Sequence, residues 1–203
     1  MVGKTFLTGE TFPALLWPST LTVTTLTING AAAGNTIALP GDRTVTTTLN
    51  LTQGVLALGT RILTLSSGSS IFRTDASSVT VGAGGFAFPS DNTTNVTYYA
   101  NAAGIGSGIE LPATVNNLTV ARNVNGVNQA TQINTSVAVN GTLSIKNNFT
   151  IPVTPPVVTV SVNGNLSIVN DAATYNLAVN PVLTNNQSLV LGGGNTTVTV
   201  PAA

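Results

Sequence analysis

Hydrophobic and polar residues alternate along most of this chain, in short runs that recur at a nearly constant interval. The run that begins at Val23 reads VTTLTI and returns at Val115 as VNNLTV. A version one residue longer begins at Val45, Val139 and Val162, as VTTTLNL, VNGTLSI and VNGNLSI. The first valines of these runs are 22, 70, 24 and 23 residues apart, and 70 is close to three further steps of 23. Alternation with period two is typical of β-strands, and a fixed period of roughly 20 to 50 residues is typical of stacked repeats.

The repeat predicts an all-β fold, a single parallel β-helix in which the short strands of each coil stack on those of the next coil. Residues 20–203 would supply about eight coils of roughly 23 residues. Equivalent apolar residues would form inward-facing columns, with Val139, Leu143 and Ile145 beneath Val162, Leu166 and Ile168. The alternative is a β-sandwich in which the repeats are coincidental, because it also consists of short strands and many turns.

Turn signals separate the strand-like runs, and helix signals are scarce. Four Asn-Gly pairs begin at Asn29, Asn125, Asn140 and Asn163. Asn and Gly both tolerate positive φ, so each pair predicts a turn or a bulge. The chain has 34 Thr, a residue that suits pleated strands, and 23 Asn, a residue that suits turns.

The two ends of the chain differ from the repeats between them. Residues 1–19 contain an apolar cluster that includes the single Trp and is interrupted by prolines. Two interpretations stay open: a cap over the first coil, since stacked repeats need capped ends, or a segment that docks into a neighbouring subunit. The candidate assembly contacts are apolar residues near both ends: Phe12, Leu15, Leu16, Trp17, Val198 and Val200.

Charge and composition exclude several classes of function. Charged residues make up 6% of the chain, against roughly 25% in an ordinary soluble domain, and the net charge is zero. A nucleic-acid partner would need a basic stripe, and none is present. No run approaches the roughly 18 apolar residues of a membrane helix. Without Cys or His, the chain has no disulfide, no histidine-based metal site and no Ser-His or Cys-His catalysis. We therefore expect no cofactor and no metal.

The few carboxylates do not suggest an enzyme. No two of them are close in sequence, whereas a typical glycosidase needs two that face each other across a cleft. We interpret all six as solvated turn residues: Glu10, Asp42, Asp75, Asp91, Glu110 and Asp171. A β-helix polysaccharide enzyme has the least support among the function classes.

The repeats resemble a known kind of protein. Residues 111–120, LPATVNNLTV, and 137–145, VAVNGTLSI, look like coils of very large secreted bacterial surface proteins, as do residues 49–60. The resemblance covers most of residues 20–200. It implies an adhesin-like protein with parallel β-helix regions, of the kind often exported by the type IX route.

Together these features predict a non-catalytic extracellular structural protein, a subunit or segment of a bacterial surface fibre or adhesin stalk. Its expected partners are other copies of the chain or neighbouring repeats of a longer chain. The alternative is a carbohydrate-binding or ice-binding β-solenoid. For that alternative, Tyr98 and Tyr99 are the candidate glycan contacts, and an outward threonine face would bind ice: Thr22, Thr24, Thr27, Thr46 and Thr48.

Overall fold

The computed structural model describes residues 4–6, 22–122, 130–146, 148–150, 158, 160–170, 175–178, 182–183, 189–193 and 196–198. The chain divides into two compact units, Met1–Asn95 and Val96–Ala203. All regular secondary structure among the described residues is β-strand. This agrees with the scarcity of helix-forming residues in the sequence.

The first unit consists of parallel strands. Its described strands are β1 (Lys4–Phe6), β2 (Thr22–Asn29), β3 (Thr36–Ala38), β4 (Arg43–Gly59), β5 (Ile62–Leu65), β6 (Ser70–Thr74), β7 (Ser77–Val81) and β8 (Gly85–Ala87). Strands β1, β2, β4 and β6 lie side by side in that order, and the long β4 also pairs with β3, β5 and β7. Strand β8 pairs with β5. Strand β4 therefore contributes to more than one face of the coil.

The second unit contains three parallel ladders. Its strands are β9 (Asn95–Ala100, which begins at the unit boundary), β10 (Ile105–Gly106), β11 (Thr114–Val115), β12 (Leu118–Arg122), β13 (Ala130–Gln132), β14 (Val137–Val139), β15 (Thr142–Ile145), β16 (Asn148–Thr150), β17 (Val160–Val162), β18 (Asn165–Asn170), β19 (Tyr175–Ala178), β20 (Val182–Leu183), β21 (Leu189–Gly193) and β22 (Thr196–Val198). The ladders run β9-β12-β15-β18-β21, β10-β13-β16-β19-β22 and β11-β14-β17-β20. Every third strand along the chain thus returns to the same face, which is the arrangement of a parallel β-solenoid.

The strand register confirms the columns predicted from the repeats. The paired residues of the second unit include Val139 with Val162, Leu143 with Leu166 and Ile145 with Ile168. All six side chains are at most 2% exposed. Burial of one such aliphatic side chain contributes roughly 1.5–3 kcal/mol, so the columns are the main source of cohesion between coils.

The same step appears in the first unit, where Leu26 pairs with Leu49 and Leu49 with Ile71, 23 and 22 residues apart. The parallel β-helix is therefore confirmed over the β-sandwich. The solenoid has about six turns, compared with the predicted eight over residues 20–203. Several stretches of that range lie outside the described residues. The predicted boundary after residue 19 also lies outside the described residues.

A bulge accommodates the longer form of the repeat. Val23 pairs with Val45 and Thr25 pairs with Thr48, so the register shifts by one residue between the two pairs. In a β-bulge two residues of one strand lie opposite one residue of its neighbour. The extra residue is taken up locally, and the apolar residues on both sides of it stay in their columns.

Gly141 and Gly164 lie at a corner where the backbones of neighbouring coils approach closely. A Cβ on Gly141 would lie 2.5 Å from Asn117 Oδ1 and 2.7 Å from the carbonyl oxygen of Asn116. A Cβ on Gly164 would overlap the carbonyl oxygen of Gly141. Among the described residues, positive φ occurs instead at Gly54, Gly59, Gly68 and Asn92. The pairs at Asn140 and Asn163 do not use positive φ; they need glycine because no side chain fits between the coils.

Candidate assembly and binding surfaces

A column of hydroxyl side chains lies on the outward face of the β9-β12-β15-β18-β21 ladder. The strand register aligns Thr97, Thr119, Ser144 and Ser167 on successive coils. All four are half-buried, and adjacent strands place them roughly 4.8 Å apart. The neighbouring outward column is mixed, since Tyr99 pairs with Ala121. This face therefore offers one regular row of hydroxyls rather than a broad flat array.

In the first unit, threonine hydroxyls bond to the backbone of the preceding coil. Thr52 Oγ1 donates to the carbonyl oxygen of Ile28 at 2.9 Å, and Thr74 Oγ1 donates to that of Thr52 at 2.5 Å. Thr46 Oγ1 makes a weaker contact of 3.4 Å with the carbonyl oxygen of Val23. These bonds tie adjacent coils together. Of these three, only Thr46 belongs to the predicted ice-binding face.

Asparagine side chains connect the coils of the second unit at the Asn-Gly corner. Asn163 Nδ2 donates a hydrogen bond of 2.9 Å to Asn140 Oδ1. Asn117 Oδ1 accepts a bond of 2.7 Å from the backbone N–H of Thr142. Asn140 and Asn163 are 23 residues apart, which is one repeat period. The sequence spacing alone is sufficient to identify this ladder, whereas the Asn-Gly pairs by themselves predict a turn or a bulge.

Tyr98 is buried and cannot offer its ring to a sugar. Its side chain is 0% exposed, and its hydroxyl donates a hydrogen bond of 2.9 Å to Oε1 of Glu110. The assignment of Tyr98 as a glycan contact is therefore wrong, because the alternation along β9 directs it inward, in register with Val120. Tyr99, the next residue, is half-buried, and its role as a glycan contact stays a prediction.

The interpretation of Glu110 as a solvated turn residue is also wrong, because its side chain is buried. It is 0% exposed, and its Oε1 also accepts a bond of 3.0 Å from the backbone N–H of Gly108. A buried carboxyl group needs such donors, since an unpaired one would cost several kcal/mol. Tyr98 and Glu110 are 12 residues apart, about half a repeat, so no periodic signal connects them.

Two other carboxylates behave as predicted and lie in exposed turns. Asp42 Oδ1 accepts a bond of 2.9 Å from the backbone N–H of Ile62. Asp91 accepts hydrogen bonds from the hydroxyls of Ser67 at 2.5 Å and Thr93 at 2.7 Å. These two bonds, that of Ser67 first, hold the pKa of Asp91 below its usual value of 3.8. Ser67 and Asp91 are 24 residues apart, so this bond too joins neighbouring coils.

Of the remaining acidic residues, the structure describes only Asp75. Asp75 is half-buried, and Glu10 and Asp171 lie outside the described residues. Within the described part of the chain, no group of three or more acidic, His or Cys side chains is arranged to hold a metal ion.

The predicted assembly contacts lie mostly outside the described residues. This holds for Phe12, Leu15, Leu16, Trp17 and Val200. Val198 lies in β22, where it pairs in register with Leu177. Strand β22 is the last described strand of its ladder.

No protein-family model, curated protein or solved structure matches this chain. Of the residues that the structure describes, none belongs to a helix long and apolar enough to span a membrane.

Proposed function

We propose that this chain is a non-catalytic structural protein of the cell surface or extracellular space, a subunit or segment of a bacterial fibre or adhesin stalk. One observation supports the proposal: among the described strands, each parallel ladder ends in a strand that pairs on one side. Strand β1 pairs only with β2 among the described strands, β21 only with β18 and β22 only with β19. An open edge presents a row of backbone N–H and C=O groups that another strand can satisfy.

Assembly would proceed by addition of a strand from the next copy, or from a neighbouring repeat of a longer chain. The first and last strands of a parallel ladder are not equivalent, so contacts between copies would be head-to-tail. Head-to-tail contacts that do not close into a ring produce open filaments. The net charge of zero supports this, because an uncharged surface does not oppose self-association.

The polar side chains also support a structural role. The bonds of Thr52, Thr74 and Asn163 all join one coil to the preceding coil. Bonds of this kind contribute about 1 kcal/mol each, and they stiffen the stack along its axis. These three side chains thus hold neighbouring coils together.

Sedimentation velocity over a range of protein concentrations, with negative-stain microscopy, tests the proposal. We expect the wild-type chain to form polymers as concentration rises. Deletion of residues 1–19 and the variant Val198→Lys should both abolish them, because an ammonium placed in a stacked interface costs several kcal/mol to desolvate. Thr119→Lys is the matched control, since it adds the same charge on the half-buried outward face of an internal strand. A wild-type chain that stays monomeric at every concentration contradicts the proposal, and a polymer that survives deletion of 1–19 removes that segment from the mechanism.

A carbohydrate-binding or ice-binding module is the second candidate. The observation in its favour is the aligned hydroxyl column of Thr97, Thr119, Ser144 and Ser167. A glycan array and a thermal-hysteresis assay, each repeated with Thr119→Val, distinguish the two functions. A signal that the variant loses would favour the module over the fibre.

A further inference from the structure

A half-buried aromatic ring lies on the outward face of the first unit. Phe72 occupies the middle of β6, between Ile71, which is 1% exposed, and Arg73, which is 8% exposed. Because successive side chains of a strand point to opposite faces, these two buried neighbours place the Phe72 ring on the outward side. The ring therefore lies among the polar side chains that cover this face.

The strand register aligns hydroxyl and amide side chains with this ring. Phe72 pairs with Asn50 of β4, and Asn50 pairs with Thr27 of β2, which makes one outward column. The neighbouring outward column consists of Thr25, Thr48 and Ser70. Adjacent members of a column lie roughly 4.8 Å apart, and the two columns are roughly 7 Å apart along the strands. These six half-buried residues are called the Phe72 patch below.

The Phe72 patch has the chemistry of a site for neutral sugar rings. Hydroxyl and amide side chains both donate and accept hydrogen bonds, as sugar hydroxyls do. The face of a phenyl ring is electron-rich and attracts the weakly positive C–H groups on one face of a pyranose. None of the six side chains is ionisable, so a nucleic acid or an anionic lipid would find no opposite charge within the patch.

Two other occupants match this face less closely. An array of hydroxyls would suit ice, but the phenyl ring interrupts the column that contains Thr27. A protein partner buries roughly 800 Å² on each side of a stable interface, with a largely apolar centre. The patch offers a single apolar ring among five polar side chains.

We propose that the Phe72 patch binds a neutral polysaccharide, with a pyranose ring stacked on Phe72 and sugar hydroxyls bonded to Asn50 and Ser70. This site rests on the second candidate function, carbohydrate binding, and assigns it to the first unit. It differs from the hydroxyl column of the second unit. It does not require the fibre, because a single copy of the chain presents all six residues.

Biolayer interferometry tests the site, with the full chain immobilised at low density so that self-association does not contribute. The neutral probes are soluble xyloglucan, galactomannan, laminarin and glycol chitin, and the anionic probes are alginate and polygalacturonate. We expect at least one neutral polymer to bind, and Phe72→Ala to weaken that binding on the order of ten-fold. Absence of binding to all four neutral polymers overturns the proposal, as does stronger binding to the anionic ones.

Two conservative variants separate ring stacking from apolar bulk. Phe72→Tyr keeps the ring and should bind within about two-fold of the wild type. Phe72→Leu keeps an apolar side chain without an aromatic face, so it should bind as weakly as Phe72→Ala. Wild-type binding by Phe72→Leu overturns the stacking contact. A urea unfolding midpoint for each variant shows that a loss of binding is not a loss of fold.

A variant of the second unit distinguishes this site from the broader functions. Thr119→Val alters the hydroxyl column of that unit and should leave polysaccharide binding unchanged. If Thr119→Val loses binding while Phe72→Ala keeps it, carbohydrate binding stands and the Phe72 patch is the wrong site. A chain that binds a neutral polymer but stays monomeric in sedimentation contradicts the fibre and leaves this site intact.

Discussion

Replacing Leu143 with alanine should strongly destabilise the second unit. Leu143 is 1% exposed and lies in its column between Leu118 and Leu166, which are 0% and 2% exposed. The change removes three buried carbons, worth roughly 2.4 kcal/mol at about 0.8 kcal/mol each. The cavity adds to this loss, because the backbone ladder holds the neighbouring coils about 4.8 Å away on each side and prevents collapse. We expect a total loss of roughly 3–4 kcal/mol.

Urea unfolding followed by far-UV circular dichroism measures this loss. Ser144→Ala is the matched control, because Ser144 is the next residue on the same strand and is half-buried on the outward face; its effect should stay within about 0.5 kcal/mol. A comparable loss in both variants would refute the inward column. Stacked repeats can unfold in parts, so the slope of the transition is compared as well as its midpoint.

Double-mutant cycles sharpen the same test. Leu143→Ala and Leu166→Ala remove neighbours in one column, so their effects should be coupled by roughly 0.5–3 kcal/mol. Leu118 and Leu166 are two strand spacings apart, roughly 10 Å, and share only the neighbour Leu143, so their coupling should be weaker. A cycle in which Leu118 and Leu166 are coupled as strongly as Leu143 and Leu166 would contradict the stacking order.

Three further predictions concern the corner, the buried polar pair and an exposed turn. Gly141→Ala should cost roughly 1–3 kcal/mol in urea unfolding, because its Cβ would lie 2.7 Å from a backbone carbonyl oxygen, whereas Gly34→Ala, with nothing within 4 Å, should be nearly neutral. Tyr98→Phe should cost about 1–3 kcal/mol, because Glu110 loses one of its donors while it stays buried; an unchanged urea midpoint would show that the 2.9 Å bond contributes nothing. The lowered pKa of Asp91 makes its contribution to stability present at pH values above 3.8 and lost as the pH falls through the folded-state pKa. Asp91→Asn should therefore flatten the acid limb of the urea midpoint plotted against pH, and an unchanged limb would contradict the role of the Ser67 and Thr93 bonds.

The neutral composition of the chain has a structural explanation. An ordinary soluble domain covers its surface with charged side chains, whereas this chain uses Thr, Asn and Ser. In a solenoid each outward position recurs on the next coil, so like charges would lie directly opposite each other and repel. Neutral hydroxyl and amide side chains can form hydrogen bonds along such a column, as Asn163 does with Asn140 at 2.9 Å. The composition is thus a consequence of stacking.

The columns could be predicted because their spacing along the chain equals one turn of the fold. Once Val139 and Val162 are recognised as equivalent, the period predicts the register of the coils, and alternation predicts which side chains face inward. The bulge between β2 and β4 was also visible, as the one-residue difference between the repeats that begin at Val23 and Val45. Repetition makes long-range contacts readable from local sequence, because each contact recurs at the same separation.

Other features depend on the path of the backbone between strands, which the period does not specify. Glu110 reads as a solvated turn carboxylate in the sequence, and only the folded chain places it in the interior beside Tyr98, 12 residues away. The sequence does not explain why position 141 requires glycine. The folded chain does, because a backbone carbonyl of another coil approaches this position closely. The sequence by itself determined the repeat, the alternation and therefore the core; the tertiary structure decided where polar groups find partners, because hydrogen bonds depend on distances and directions that composition and period leave open.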